Sequence, residues 1–298
     1  MAKAVFTTKV EPAYDDLPEY RYHFPRTYLR QAEEAVGDWV VYYEPRRPNT
    51  DPNSRGGRQV YFGTARLSSI EADPGKTDHF YAFMSDYLEF ERPVPFKEGA
   101  LYFESSLKKA DGSTNKGAFG RSVRTMTDED YDLILRAGFS EIIGSSNAHE
   151  QAHKGLAEDQ LEFERPIVER LIARPFRDAA FSKIVRSAYE ETCAFTGLKI
   201  INGGGRPEVQ AAHIRPVADS GSDSIRNGLA LSGTIHWMFD RGLISVDEDL
   251  TILKADNSMP DTINSLLNSD GMLRIPIQPD MCPHPRHLEY HRENIFKG

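Results

Sequence analysis

The sequence predicts an α+β protein of two domains: a small β-barrel with helices, then a compact strand–strand–helix unit. Three observations predict it. Segments rich in β-branched and aromatic residues recur in the first third of the chain, separated by Pro- and Gly-rich loops. Helix-type patterns at 27–35 and 127–137 flank those segments. Residues 208–244 then hold two short apolar runs and a capped helix in close succession. A length of 298 residues suits two domains better than one.

Residues 1–145 read as the first domain. Residues 36–44, with Trp39, Val40, Val41, Tyr42 and Tyr43 in a row, predict a strand, and residues 59–67 and 79–90 predict two more. Pro93 and Pro95 are expected to close the third. Alternation puts Trp39, Val41 and Tyr43 on one strand face and Val40, Tyr42 and Glu44 on the other, and only one set is expected to face inward. Thr127, followed by three acids, is a helix start: its hydroxyl caps free N–H groups and the acids suit the positive end of the helix dipole.

Residues 146–175 are expected to form a linker and 176–298 the second domain. Phe176, Ala180, Ile184 and Ala188 recur at helical spacing, and Arg174, Arg177, Lys183 and Arg186 make the same helix basic. Residues 209–214 form a short apolar run before Pro216 and predict a strand; residues 218–224 are loop-like, and 228–231 predict a second strand. Ser232 caps a helix over 233–240 that Gly242 ends. His236 and Asp240, four apart, share one face of it. Trp237, Met238 and Phe239 are expected in the core. Residues 243–253 predict a hairpin and 261–267 a short helix. The prolines around His284 and His287 predict a surface loop.

His213, Asn227 and His236 fall in order at the first strand's end, after the loop and on the helix. In that frame, roughly residues 190–250 resemble an HNH nuclease motif, the ββα-metal fold, in the branch related to modification-dependent restriction enzymes. The resemblance implies phosphodiester hydrolysis. Imidazole titrates near neutral pH, so His213 suits a base that activates water. A divalent ion such as Mg2+ or Mn2+ would stabilise charge on the phosphate and the departing 3′ oxygen. His236 would hold it through a ring nitrogen and Asp240 would add a hard oxygen. Asn227 takes the family's middle position, which orients the base or assists metal binding. Arg215 and Arg226 are candidates to grip the DNA backbone.

The chain departs from many family members in two places. Ala212 stands where an acidic or histidine ligand is often found, so Asp240 is the expected second ligand. Cys193 and Cys282 cannot make a four-cysteine site, so no structural zinc is expected.

Tyr22-His-Phe-Pro25, the stretch from Gly37 to Glu44, and Tyr61-Phe-Gly63 resemble a PUA-superfamily domain of the EVE type over roughly residues 5–140. That implies a pocket reading a modified base flipped out of double-stranded DNA, chiefly 5-methylcytosine or 5-hydroxymethylcytosine. A flipped base needs aromatic faces and polar groups for its pairing edge. Tyr22, Phe24, Trp39 and Tyr43 are candidates for the first and Asp86 for the second. Arg46 and Arg47, in the first long loop, are candidates for phosphate contact. This domain order resembles modification-dependent restriction endonucleases.

Composition sets the outer bounds. A hydrophobic content of 39% and a charged content of 27% are ordinary for a soluble globular protein. No apolar run is long enough for a membrane span, no signal-peptide pattern opens the chain, and two distant cysteines give no disulfide framework. A cytoplasmic protein is expected. The net charge of −9 argues against indiscriminate nucleic-acid binding but leaves room for a local basic face. One HNH site cuts one strand at a time, so a double-strand break needs a homodimer or two binding events. Two further readings stand beside this one: a non-catalytic reader whose nuclease is degenerate, which Ala212 keeps open, and a nuclease without modification dependence.

Overall fold

The computed structural model describes residues 2–8, 16–45, 58–143, 173–255 and 260–298. Contacts divide the chain into two units, Met1–Ala180 and Phe181–Gly298. The division falls a few residues beyond the expected start of the second domain: Phe176 and Ala180 pack in the first unit's core.

In the first unit the elements are β1 (Lys3–Thr7), β2 (Arg21–Pro25), α1 (Leu29–Glu34), β3 (Trp39–Glu44), β4 (Val60–Ala72), β5 (His79–Pro95), β6 (Lys97–Glu98), β7 (Leu101–Tyr102), α2 (Lys116–Phe119), β8 (Val123–Met126) and α3 (Asp128–Gly138). Six strands form one sheet in the order β2-β5-β4-β3-β1-β8. Four strand spacings separate β2 from β1, roughly 19 Å if the sheet were flat. Yet the Phe6 and Tyr22 rings lie 4.9 Å apart, and Tyr22 Oη donates to the Thr7 carbonyl at 2.8 Å. The sheet therefore curls, and the expected barrel is realised as a half-barrel.

Two cores result. Phe6, Tyr22, Phe24, Val40 and Tyr42 fill one, closed by Ala32 of α1. Trp39, Val41 and Tyr43 belong to the other, covered by Tyr131, Ile134 and Leu135 of α3. All of β3 is buried. The expectation that only one set of β3 side chains would face inward is thus corrected, because α3 covers the other face. Thr127 caps α3 as expected, accepting from the Asp130 N–H. β5 runs past the expected Phe90 and ends at Pro95, with Pro93 inside the strand. Pro93 lies in a stretch where residues 90–93 face only Phe62 of β4, so the ladder loses little by its missing N–H.

Helix α4 (Arg174–Ala188) contributes Phe181 and Val185 to the second unit's core. There follow β9 (Gln210–His213), β10 (Gly228–Leu231), α5 (Gly233–Asp240), β11 (Ile244–Val246), β12 (Ile252–Lys254) and α6 (Pro285–Asn294). Antiparallel β9–β10, then α5, is the expected strand–strand–helix unit. β11 and β12 form the expected hairpin, and the helix expected near 261–267 is a 3₁₀ turn, Asp261–Ser265. Ser232 has N-cap backbone angles but its side chain makes no cap bond; Glu208 Oε1 accepts from the Gly233 N–H instead, at 2.8 Å. Gly242 ends the helix at φ 69°, where a Cβ would collide with the Ile295 carbonyl.

Two expectations fail here. Trp237 is 52% exposed, because the core stripe of α5 is Ile235, Met238 and Phe239 and Trp237 lies off it. The segment around His287 is no surface loop: His284 caps α6, Pro285 sits in its first turn where a missing N–H costs nothing, and His287, Leu288 and His291 are buried. Among the described residues no helix is long and apolar enough to cross a membrane.

Candidate active site

The site is built where β9 ends. His213 pairs with Gly228 across the two strands. Its ring lies flat on Phe181, with centroids 3.8 Å apart and planes 9° apart. Nε2 lies 2.9 Å from Oδ1 of Asp223, a carboxylate on the β9–β10 loop whose side chain is 1% exposed. Nδ1 has no hydrogen-bond partner among the described residues.

Asn227 is fully buried. Its Oδ1 accepts from the Arg215 N–H, and its Nδ2 donates to the carbonyls of Arg215 and Ser222, each at 2.9 Å. Those bonds staple the chain just after His213 to the chain just before Asp223. Asn227 thus spends its polar atoms on backbone and does not line the cleft beside it.

That cleft has a volume of about 480 Å3, and His213, Pro216, Val217, His236, Asp240 and His291 are among the residues lining it. His236 Nδ1 lies 2.8 Å from Gln210 Oε1, and His236 Nε2 lies 3.5 Å from Asp240 Oδ2. With the Gln210 carbonyl oxygen accepting, Nδ1 carries the proton and Nε2 keeps its lone pair. Helical spacing of four residues therefore sets an imidazole nitrogen beside an exposed carboxylate, a donor pair that suits a divalent ion. Among the described residues no group of three His, Cys, Asp or Glu stands close enough to hold an ion unaided. The pair fits an ion whose remaining positions come from water and a substrate phosphate.

Residues 193–247 match the family model described as HNH endonuclease. The chain carries an HNH endonuclease domain. HNH nucleases generally use a divalent metal. None of the curated proteins matches this chain. Among solved structures it is similar to the modification-dependent TagI restriction endonuclease, at 16% identity and a TM-score of 0.34, over 98% of this chain and 81% of that one. It is similar to the N-terminal domain of Staphylothermus marinus McrB at 15% identity and a TM-score of 0.31, over 46% of this chain and 94% of that one. A third, the type IV phosphorothioation-dependent restriction endonuclease ScoMcrA, is 14% identical with a TM-score of 0.19, over 79% of this chain and 52% of that one. The domain assignment rests on the family match and the cleft.

The second unit holds one more histidine at the cleft, outside the matched residues. His291 of α6 stacks on Phe239 at 3.7 Å and 12°. Its Nδ1 bonds Ser245 Oγ at 2.9 Å and its Nε2 donates to the Phe239 carbonyl at 3.1 Å. Burial pushes its pKa down to about 4. Burial likewise lowers His284 to about 4 and His287 to about 3, with neighbouring arginines adding to the effect.

Of the candidate phosphate-binding arginines, Arg215 lies over the Tyr290 ring at 4.4 Å and donates from Nε to the Asp219 carbonyl. Arg226 has its Nε buried with no hydrogen-bond partner among the described residues. Arg46 and Arg47 lie outside the described residues.

In the first unit the structure does not bring the candidate base-reading residues together. Tyr22 and Phe24 sit in one core, Trp39 and Tyr43 in the other, on opposite faces of the sheet. Asp86 occupies a bulge at φ 54°, and its half-exposed carboxylate accepts from Arg177 Nη1 at 2.9 Å.

Sequence reasoning missed Asp223, Gln210 and Phe181. Asp223 sits in a run of Ser, Gly and Asp that reads only as loop; its burial follows from the Asn227 staple, which no local pattern reveals.

Proposed function

We propose that this protein is a divalent-metal-dependent endonuclease that cuts DNA carrying modified cytosine, read by the first unit and cleaved by the HNH domain. The observation that carries the nuclease reading is that His213, with a free Nδ1, and the His236–Asp240 pair open onto one cleft. His213 takes a proton from water at Nδ1 as the oxygen attacks phosphorus. His236 and Asp240 hold the divalent ion, which when bound neutralises charge on the phosphate and the 3′ oxygen. Asn227 keeps the β9 end and the following loop in register. Arg215 and Arg226 bind backbone phosphates.

The reading of modified cytosine rests on the EVE-type resemblance and on the curled, aromatic-rich sheet that the same residues form. Burying a 5-methyl group is worth about 1 kcal/mol, so discrimination by that group alone is roughly tenfold at most. A double-strand cut needs two HNH sites, which we assign to a homodimer or to two binding events.

The test is digestion of matched duplexes bearing 5-methylcytosine, 5-hydroxymethylcytosine or unmodified cytosine, with Mg2+ or Mn2+ and a chelator control. Ion-dependent cutting of the modified duplexes is expected. Equal cutting of all three would leave a nuclease without modification dependence. Selective binding with no cutting under either ion would leave a reader alone.

A further inference from the structure

Asp223 stands outside the His–Asn–His frame, yet it is the carboxylate nearest to the base. Its side chain is 1% exposed, and its Oδ1 lies 2.9 Å from His213 Nε2. An ionised carboxylate only accepts hydrogen bonds, so Nε2 must carry the proton and the lone pair falls to Nδ1. Phe181 fixes the ring plane from one side, so the imidazole is held by a stack and a bond at once. Asn227, the residue the motif would credit with orienting the base, spends its side chain on the Arg215 and Ser222 backbone and makes no bond to His213.

We propose that Asp223 is the positioning residue of the hydrolytic base: it holds His213 in the Nε2–H tautomer and balances the imidazolium that forms when Nδ1 takes a proton. The inference rests on the reading of His213 as that base. In the step itself one O–H bond of water breaks and its proton binds the Nδ1 lone pair. The electron pair left on the water oxygen forms the new P–O bond. The bond from phosphorus to the 3′ oxygen breaks, its electron pair leaves on that oxygen, and solvent supplies the proton that oxygen takes. The imidazolium then returns its proton to solvent. Asp223 touches neither water nor phosphate; it acts through the ring.

Two measurements on the full chain test this. The first is 15N-resolved NMR of the His213 ring in the unsubstituted protein. Protonated Nε2 with bare Nδ1 is expected, and a neutral ring protonated at Nδ1 would overturn the proposal without any variant. The second is Asp223→Asn, which keeps the shape but lets an amide N–H face Nε2 and so favours the wrong tautomer. Its kcat should fall by at least about 10³-fold with KM for DNA unchanged, toward the roughly 10⁴-fold that an orienting carboxylate supplies in a hydrolytic triad. The ring nitrogens should exchange roles in its NMR spectrum. Cutting within about threefold of the parent, or loss of cutting with the tautomer unchanged, would overturn the proposal. If Asp223→Asn does not fold, the unsubstituted spectrum still decides. His213→Ala separates the two levels: if it still cuts, the base assignment itself falls, whereas an inactive His213→Ala beside a fully active Asp223→Asn removes only Asp223.

Discussion

Of the three histidines lining the cleft, two lie flat on a phenylalanine: His213 on Phe181 and His291 on Phe239. Their stacking is nearly identical and their hydrogen bonding is not. His291 gives one nitrogen to the Phe239 carbonyl and the other to Ser245, so no lone pair is left for chemistry. His213 gives one nitrogen to Asp223 and keeps the other. Position in a cleft and contact with an aromatic ring do not make a histidine reactive. On the proposed reading, what makes His213 reactive is an uncommitted nitrogen with the opposite one held by a carboxylate.

The largest expected effect separates the two rings outright. His213→Ala should lower cleavage by about 10³-fold or more while leaving DNA binding intact, because loss of a positioned general base alone removes 10²–10⁴. Single-turnover cleavage beside a binding titration checks it, and retained cleavage would end the contrast.

His291→Ala should act on stability. It strands the Phe239 carbonyl and Ser245 in the core, at a cost of about 1–3 kcal/mol for each group left unpaired. Denaturant unfolding should show the loss, while cleavage per folded molecule stays near that of the parent.

A pH series sharpens the same point. The folded pKa values of His284, His287 and His291 are pushed down to about 4, 3 and 4 from an ordinary 6.5. Between those values the unfolded chain binds more protons than the folded one. Their contribution should be complete above pH 6.5 and be lost as pH falls through about 4. His291→Phe should flatten part of that slope.

Asp240→Asn keeps shape and removes charge, so the ion concentration for half-maximal cleavage should rise by about tenfold, at the lower end of what ion-binding shells show. An unchanged ion titration would make Asp240 a structural partner of His236. The smallest effect is expected one residue along from His236: Trp237→Ala should change unfolding free energy by about 0.5 kcal/mol or less, because the ring is half exposed beside Arg241.

Local chemistry made much of the second unit legible. Gly228–Leu231 and Gly233–Asp240 fall where apolar runs and the Ser232 and Gly242 punctuation place them. Thr127 caps its helix for the same reason, since a cap needs only neighbours a few residues away. Helical spacing alone sets His236 beside Asp240.

What the sequence determined by itself was therefore whatever a few consecutive residues can decide: strand, turn, cap, and which side chains share a helix face. Tertiary structure alone decided the rest. β3 is buried on both faces only because α3, more than eighty positions further along the chain, covers it, and so Trp39 and Tyr22 end in different cores. Pro285 starts a buried helix because the elements around it bury His287 and His291. Asp223 reaches His213 only because Asn227 ties the two loop ends together. Each is a contact between residues that no period or cap relates, and packing across the fold, not propensity along the chain, sets its energy.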